Sequence, residues 1–341
     1  MTLTPCRTTR DAIADPFGER PLHGRSVRKQ ILGGSFNFES ASEVLLDLVE
    51  AAYGGLPQHR FAAGETTQFH VELRLVARQA SRASSMPPLV RMQSGAGLLC
   101  GVMDASNYVV LAPGQRRALV VASEDMLSNP YHLRYELIEF AVFTLAARGM
   151  GLVPLHGACV GRQGRGILLL GSSGSGKSTL ALHSLLRGLD FVAEDAIFVQ
   201  PESLLATGVP NYLHVQADAL RFVEDPDVHR WIEQAPVIRR RSGVEKFEAD
   251  LRPARGRLAQ APLALVGAVF VSNQWADDPE VLLSRVPEAE IVDLLSADQP
   301  YAAGQPGWDH FARKLLKEGV HLLRRGRHPQ ASVDALLGLL A

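Results

Sequence analysis

A glycine-rich stretch in the middle of the chain has the residue types that cradle a phosphate. It reads GSSGSGKST and consists of Gly171, Ser172, Ser173, Gly174, Ser175, Gly176, Lys177, Ser178 and Thr179. The spacing fits the pattern G-x-x-x-x-G-K-[ST], in which glycines let successive N–H groups converge on an anion. We expect Lys177 to reach the terminal phosphates and the Ser178 hydroxyl to bind Mg²⁺. The stretch therefore predicts a site for a nucleotide phosphate.

The residues on either side of this stretch supply the setting that the pattern requires. GILLL precedes it and is typical of a buried strand, whereas TLALHSLLRG follows it with the spacing of a helix that ends at Gly188. A helix that starts at the loop adds the positive end of its dipole to the phosphate site. The alternative, an incidental serine-glycine turn, is the weaker interpretation in this setting.

Two adjacent carboxylates, Glu194 and Asp195, follow soon after the loop in the stretch DFVAED. Because only one short helix and a turn lie between, we expect them near the γ-phosphate, as metal ligands or as acceptors of a hydroxyl proton. If the strand continues through both, their side chains point to opposite faces and differ in role. A solvated acidic pair at a strand end is the alternative.

Two further sets of residues could take part in the same chemistry. His156 lies on an apolar strand, and an imidazole beside a γ-phosphate can orient or stabilise it, although a satisfied core histidine is the common alternative. A basic segment could clamp a phosphate or an acidic acceptor, because arginine forks match phosphate oxygens. Its residues are Arg239, Arg240, Arg241 and Lys246. A solvated charge run on a mobile loop explains these four equally well.

Length and composition bound the kind of protein. The chain has 341 residues, of which 46% are hydrophobic, and a formal net charge of -1. These values predict a globular protein of more than one domain, without a general attraction to nucleic acid or to an anionic membrane. The few, widely spaced cysteines and an N-terminus without the apolar core of a secretory signal favour a reducing cytoplasm.

Turn residues and apolar periods divide the chain into four parts. We expect a flexible N-terminal arm over residues 1–25 and an α+β domain with an antiparallel sheet over residues 26–128. A linking helix over residues 129–150 begins at an Asn-Pro pair, and residues 151–341 form the domain with the phosphate loop.

Some strands are expected from apolar runs alone. RKQILGGSFNFES and DFVAEDAIFVQ each read as one strand, and FHVELRLVAR, LLCGVMD, YVVLA and RALVVAS read as an antiparallel meander. VPLHGACVGRQGRGILLL reads as a hairpin of two strands, and a helix-turn-strand-helix tail closes the chain.

The order of these motifs resembles the catalytic domain of HPr kinase/phosphorylase and its relatives. LHGACV, the phosphate loop with its strand, and LLRGLDFVAED are similar to the family's histidine-glycine strand, loop and acidic strand, over about residues 152–200. GVHLLRRGRHPQASVDALLGLL is a weaker likeness to its last strand and helix. The resemblance implies an α/β fold, with a P-loop kinase domain of the HPr kinase and phosphoenolpyruvate carboxykinase type behind the smaller α+β domain. It also implies ATP and Mg²⁺ as cofactors.

The resemblance further implies roles by position. His156 takes the place of the family histidine near the reacting phosphate, Glu194 that of the aspartate that acts as base, and Asp195 that of the second aspartate. Glutamate at the first position keeps the charge and adds one methylene. We expect Glu194 to accept the hydroxyl proton. The exact division between proton acceptor and metal ligand stays open between Glu194 and Asp195, with Ser178 as the third expected ligand.

The motifs and the resemblance together predict a cytoplasmic ATP-dependent kinase that phosphorylates a hydroxyl, a serine of a peptide or small protein. Relatives that modify lasso peptide precursors suggest such a peptide as acceptor. One alternative is the bifunctional kinase/phosphorylase that acts on HPr, although the family's glycine-containing signature after the acidic strand is missing here. Another is a nucleotide-driven ATPase that transfers phosphate only to water. No nucleic acid or membrane partner is expected, and the family's ring-shaped members make a homo-oligomer compatible with the resemblance.

Overall fold

The computed structural model describes residues 24–61, 66–77, 86–253 and 257–341. It is a mixed α/β structure, and its described strands form sheets of seven, ten and three strands. The N-terminal arm expected over residues 1–25 lies outside the described residues apart from its last two. The division into domains stays a prediction.

The first sheet contains the strands that precede the helical segment at 130–150. In chain order they are β1 (Arg25–Ile31), β2 (Gly34–Ser40), β3 (Gln68–Val76), β4 (Arg91–Gly95), β5 (Leu98–Val102), β6 (Tyr108–Ala112) and β7 (Arg117–Ser123). Their spatial order is β1-β2-β3-β7-β6-β5-β4. Because β3 lies parallel between β2 and β7, the sheet is mixed, and the predicted meander is antiparallel only from β5 to β7.

The first predicted strand is a hairpin instead. β1 and β2 pair antiparallel, and the chain reverses at Leu32 and Gly33. These two residues have φ angles of 53° and 89°. Two consecutive positive φ angles give the tight turn whose twist matches that of the flanking strands.

Two helices pack on this sheet. They are α1 (Glu43–Tyr53) and α2 (Glu139–Met150), and their apolar residues share one buried cluster with Phe36 and Phe38. α2 continues from a short turn, Pro130–His132, and a π-helical segment, Leu133–Ile138. The helix predicted from the Asn-Pro pair therefore forms, with a π-helical segment that the apolar period does not predict.

The second sheet surrounds the phosphate-loop stretch. Its strands are β8 (Val153–His156), β9 (Ala158–Arg162), β10 (Arg165–Leu170), β11 (Asp190–Ala193), β12 (Ala196–Gln200), β13 (Leu205–Gly208), β17 (Arg257–Leu258), β18 (Leu263–Trp275), β19 (Leu283–Arg285) and β20 (Val320–Arg325). β18 is parallel to both β10 and β20, so the carboxyl ends of these three strands meet at one edge. That edge is where ligands of open α/β sheets bind.

Helices cover both faces of the second sheet. In chain order they are α3 (Lys177–Leu186), α4 (Pro226–Glu233), α5 (Glu288–Asp298), α6 (Pro300–Ala303), α7 (Trp308–Glu318) and α8 (Pro329–Leu340). α3 and α8 contribute to one buried cluster, whereas α5 and α7 contribute to another. The small third sheet contains β14 (Tyr212–Val215), β15 (Val237–Arg239) and β16 (Glu245–Asp250). The described part of the chain has no helix with the length and apolarity needed to span a membrane.

Two predicted strands are broken, and the breaks face each other. The run that leads to the phosphate loop splits at Gly157 into β8 and β9, and DFVAEDAIFVQ splits at Glu194 and Asp195 into β11 and β12. β8 pairs with β12, whereas β9 pairs with β10 and β11. Asp195 has a φ angle of 69°, in the left-handed region that few residues other than glycine adopt. His156 and Asp195 become neighbours because both strands break at this point.

Candidate active site

The loop between β10 and α3 forms an open cradle. Gly171, Gly174 and Gly176 have positive φ angles of 122°, 81° and 106°. A Cβ atom at Gly174 or Gly176 would project into open space, where it would take room from a ligand. The Ser175 hydroxyl is buried and has no hydrogen-bond partner among the described residues. A buried polar group of this kind calls for a partner that the protein itself does not provide.

Lys177 closes the cradle from the first turn of α3. Its Nζ atom donates hydrogen bonds to the carbonyl oxygens of Gly171, at 2.6 Å, and Ser172, at 3.1 Å. Burial lowers the pKa of this amine, although three nearby carboxylates oppose the effect. The ammonium group therefore lies beside the loop backbone, where phosphate oxygens can replace the two carbonyls.

Glu194 is held against the loop. The Ser178 hydroxyl donates to its Oε1 atom, and the backbone N–H of His214 donates to Oε2 at 2.9 Å. The Lys246 ammonium lies 3.9 Å from Oε1, and the glutamate side chain is only 2% exposed. Both carboxylate oxygens are thus engaged, and Glu194 does not line the cavity above the loop.

Asp195 presents its carboxylate to that cavity instead. Arg240 donates to its Oδ2 atom, and His214 Nδ1 lies 3.6 Å from the same oxygen. Burial raises the pKa of this carboxyl group, but His214 and Arg240 outweigh burial and hold the pKa well below its ordinary value. Asp195 is therefore an ionised group at the cavity wall.

His214 joins these acids to the π-helical segment. Its Nε2 atom lies 3.0 Å from the Tyr135 hydroxyl and 3.5 Å from Glu248 Oε1. Glu248 also pairs with the buried guanidinium of Arg134. Burial disfavours charge on His214, but its contacts with Asp195 and Glu248 raise its pKa to about 9. The imidazolium is therefore shared by acids on both of its sides.

This charge arrangement predicts that stability falls as the pH rises from 6.5 to 9. The folded protein keeps the His214 proton up to a pKa of about 9, whereas an unfolded histidine loses its proton near 6.5. Across that window the folded state binds the extra proton, so the free energy of unfolding falls by about 1.4 kcal/mol per pH unit. Burial also raises the pKa of Glu139 to about 8, which acts in the same direction.

Urea unfolding at pH 6.5 and at pH 9 measures the effect, with His214→Gln as the comparison. The variant keeps Glu139 and loses the imidazolium, so its stability should change less between the two pH values. The neighbouring Arg240 guanidinium, 3.5 Å from His214 Nδ1, disfavours the positive charge on His214, but the surrounding carboxylates outweigh this effect. An unchanged pH dependence in the variant would contradict the assignment of the proton to His214.

His156 and the phosphate loop are tied together through the end of α5. His156 Nδ1 donates to the Asp195 carbonyl oxygen at 3.1 Å, which leaves Nε2 available to a ligand. The Gln299 side chain bonds the backbone of His156 in both directions, at 2.7 and 2.8 Å. Asp298 accepts from the Gly171 N–H at 3.4 Å. His156 is exposed and lines the cavity, so it is not a satisfied core histidine.

The four basic residues predicted to clamp a phosphate do not all point to the same site. Arg240 and Lys246 reach the two acids and line the cavity above the loop. Arg241 turns the other way and binds both carboxylate oxygens of Glu136. Arg239 is exposed on β15 and does not line that cavity. Only two of the four are therefore in reach of a phosphate on the loop.

Several site residues were not found from the sequence. They are Arg134, Tyr135, His214, Glu248, Asp298 and Gln299. Arg134 and Tyr135 lie in the π-helical segment, a type of helical irregularity that is frequent at functional sites. His214 could have been found from the sequence, because it interrupts an apolar strand in the same way as His156. The others meet their partners only through tertiary contacts and leave no local spacing pattern.

Two cavities meet at His156 and Asp195, which line both. The first, of about 380 Å³, contains loop residues 173–179 together with Arg240 and Lys246. The second, of about 790 Å³, is mainly apolar and lies between β4, α2 and the end of α5. Its apolar lining includes Leu89, Val90, Met92, Phe140, Phe143, Phe198 and Tyr301.

The loop residues fit a nucleotide and Mg²⁺. Within the described ranges, no cluster of three or more His, Cys, Asp or Glu side chains could hold a metal by itself. Mg²⁺ typically takes one or two carboxylates and completes its shell with substrate phosphates and water. The pair Ser178 and Glu194, with Asp195 beside them, has the oxygen ligands for that arrangement. The loop glycines with positive φ angles, and the Ser175 hydroxyl that has no hydrogen-bond partner among the described residues, fit a phosphate.

Comparison with known proteins gives one informative match. No protein-family profile matches the chain. The chain is 29% identical over 188 residues to an HPr kinase/phosphorylase of Xanthomonas axonopodis pv. citri (strain 306). The aligned residues make up 54% of this chain and 51% of that protein, so the chain spans about half the length of the relative that it matches. This distant similarity to HPr kinase/phosphorylase confirms the resemblance predicted from the motifs and supports a kinase-like function.

Proposed function

We propose that the protein is an ATP-dependent kinase that transfers the γ-phosphoryl group to the hydroxyl of a serine in a peptide or small protein. The observation that carries this proposal is the meeting of two cavities at Asp195 and His156. Phosphoryl transfer requires a donor and an acceptor in line at the transferring phosphorus. A phosphate loop on one side of a carboxylate and an apolar cavity on the other supply these two places.

The residues of the loop bind and orient the triphosphate. The loop amides, the Ser175 hydroxyl and Lys177 hold its oxygens, with Ser173 and Thr179 in the same cavity wall. Ser178 and the nearby acids would hold Mg²⁺, which would neutralise the charge that develops on the phosphates. Because His156 Nδ1 already donates to the Asp195 carbonyl, Nε2 donates to the γ-phosphoryl oxygens only in the imidazolium form, and Arg240 adds positive charge at the same end.

We assign the role of proton acceptor to Asp195 and the role of Mg²⁺ ligand to Glu194. Glu194 has both oxygens engaged by Ser178 and His214, whereas Asp195 lines both cavities. As the serine oxygen bonds to the γ-phosphorus, the bond to the bridging oxygen breaks, ADP leaves with that electron pair, and the hydroxyl proton passes to Asp195. The low pKa of Asp195 suits this late transfer, because the ionised carboxylate orients the hydroxyl while the transition state is loose.

The second cavity favours an acceptor with uncharged, apolar side chains next to its hydroxyl. Its two charged residues nearest the first sheet, Glu136 and Arg241, neutralise each other. Part of its lining comes from Leu89, Val90 and Met92, next to or in β4, which supports the proposal that residues 26–128 recognise the acceptor. The division into domains, the cytoplasmic location and a homo-oligomer remain proposals of the same kind.

The test uses the purified full chain, γ-labelled ATP, Mg²⁺ and a degenerate peptide library with a fixed central serine between apolar residues. A matched library with central alanine is the control. Label on the serine library alone supports the kinase. Label found only as free phosphate supports the ATPase alternative. Removal of phosphate from phosphoserine-HPr on addition of inorganic phosphate supports the bifunctional alternative, which the name of the similar protein favours.

A charge at the mouth of the apolar cavity should weaken acceptor binding. Leu89 is 66% exposed, so Leu89→Asp leaves the core intact while placing a carboxylate on the lining. Since an apolar side chain must then pack against a charge, we expect KM for the acceptor peptide to rise about tenfold and KM for ATP to stay unchanged. Val281→Asp is the matched control, because Val281 is 60% exposed and lines neither cavity. Equal KM values for the two variants would argue against the acceptor site.

A further inference from the structure

An aromatic and basic cluster lines the first cavity on the far side of the phosphate loop from the acids. In the second sheet β9 and β11 lie on one side of β10, whereas β18 and β20 lie on the other. Asp195 follows β11 on the first side, and His156, at the end of β8, contacts the Asp195 carbonyl oxygen. Trp275 and Arg325 end the strands on the second side and line the same cavity. A ligand with phosphates on the loop can therefore extend in two directions from it.

Trp275 and Arg325 form a pair that faces the cavity. They are register partners at the carboxyl ends of β18 and β20. The Arg325 guanidinium lies 5.7 Å from the centre of the Trp275 ring, and Trp275 is 62% exposed. Most of the Trp275 ring surface is therefore open to a ligand in the cavity. Its face and the planar guanidinium offer two surfaces on which a flat ring can stack.

A second aromatic group lies on the same cavity wall. Phe222 lines the cavity, and the Arg221 guanidinium lies 4.6 Å above its ring. The Phe222 ring is 5.6 Å from that of His328, which caps the N-terminus of α8 just after Arg325 in the chain. Two aromatic rings on this wall of the cavity, Trp275 and Phe222, therefore each lie next to a guanidinium group. The cavity as a whole, about 380 Å³, has the size of a small-ligand site.

We propose that Trp275 and Arg325 stack on the purine base of the nucleotide whose phosphates occupy the loop. This inference rests on the proposed function, because it needs a nucleotide on the loop. It assigns a role to Arg325, which lies at the end of β20. Stacking depends on ring area, so the cluster favours a purine over a pyrimidine.

The test compares ligands that share phosphates and differ in the base. Calorimetry measures Kd for ATP, GTP, UTP and inorganic tripolyphosphate, each with Mg²⁺, on the full chain. Trp275→Ala should raise Kd for ATP about tenfold, because stacking on one aromatic ring contributes on that scale. Tripolyphosphate has no base and should keep its Kd. Trp275→Phe should retain most of the ATP affinity, and unmodified protein should bind ATP more tightly than UTP.

The controls separate this inference from the proposed function. Arg325→Ala should weaken ATP binding, whereas Arg313→Ala, an exposed arginine of α7 that does not line the cavity, should not. Tripolyphosphate and ATP that bind equally well to the protein and to Trp275→Ala would overturn the base site and leave the kinase proposal standing. Absence of binding by both ligands to the unmodified protein would overturn the nucleotide site itself, and the base site with it.

Discussion

Asp195→Asn is expected to lower turnover about a thousandfold, on the scale of a lost proton acceptor, with little change in ATP affinity. Asparagine keeps the shape of the side chain and its place at the junction of the two cavities, but it cannot accept the hydroxyl proton. Its amide also presents no charge to the hydroxyl that it should orient. Single-turnover transfer from labelled ATP to a serine peptide measures the rate, and calorimetry measures the affinity.

The matched control for this prediction is Glu194→Gln. Glu194 accepts the hydroxyl hydrogen bond of Ser178 and the N–H of His214, so its neutral variant should weaken the Mg²⁺-dependent binding of ATP together with turnover. If instead Glu194→Gln lost turnover alone and Asp195→Asn lost little, the two roles would be exchanged. The position of Glu194 in the family pattern predicts that it is the base. This pair of variants decides between the two assignments.

Lys177→Ala is expected to remove detectable transfer, with a loss of turnover of about a thousandfold or more. A preorganised positive group aimed at developing charge contributes on this scale when it is removed from a site that excludes water. The Lys177 ammonium is buried against the loop carbonyls, so alanine leaves the phosphates without their nearest cation. ATP affinity should fall as well, since the lysine contacts phosphate in the ground state.

Circular dichroism and the urea midpoint check that this variant is folded. Lys314→Ala on α7 is the control for loss of a lysine, because that residue lines neither described cavity. Transfer by Lys177→Ala at more than about a tenth of the original rate would contradict the role of the loop, whatever its affinity for ATP.

The local structure around the glycine-rich stretch could be predicted from the sequence. The loop, its strand and its helix form as expected, because glycine spacing and apolar periods are local properties. His156 and the acids also come together near the loop. The apolar runs do not show that Gly157 and Asp195 break two strands that read as continuous. Aspartate adopts a positive φ angle, here 69°, more readily than most residues, but the apolar pattern of the run does not mark this position.

The polar network behind the acids is the part that could not be predicted. Arg134 and Tyr135 reach Glu248 and His214 from a helical segment far away in the chain. No spacing rule links this helical segment to β14 and β16 of the small third sheet, because they meet only in the folded chain. The basic segment at 239–241 shows the same limit, since its alternation sends Arg240 to Asp195 and Arg241 to Glu136, a division that composition alone cannot give.

The measurement that tests the central claim most directly is a crystal structure of the protein with Mg²⁺ and a non-hydrolysable ATP analogue. Our account predicts that the γ-phosphate lies between Lys177 and Asp195, with the apolar cavity opening opposite the bridging oxygen. A γ-phosphate that points away from Asp195, or a protein wall between that phosphate and the apolar cavity, would contradict the account.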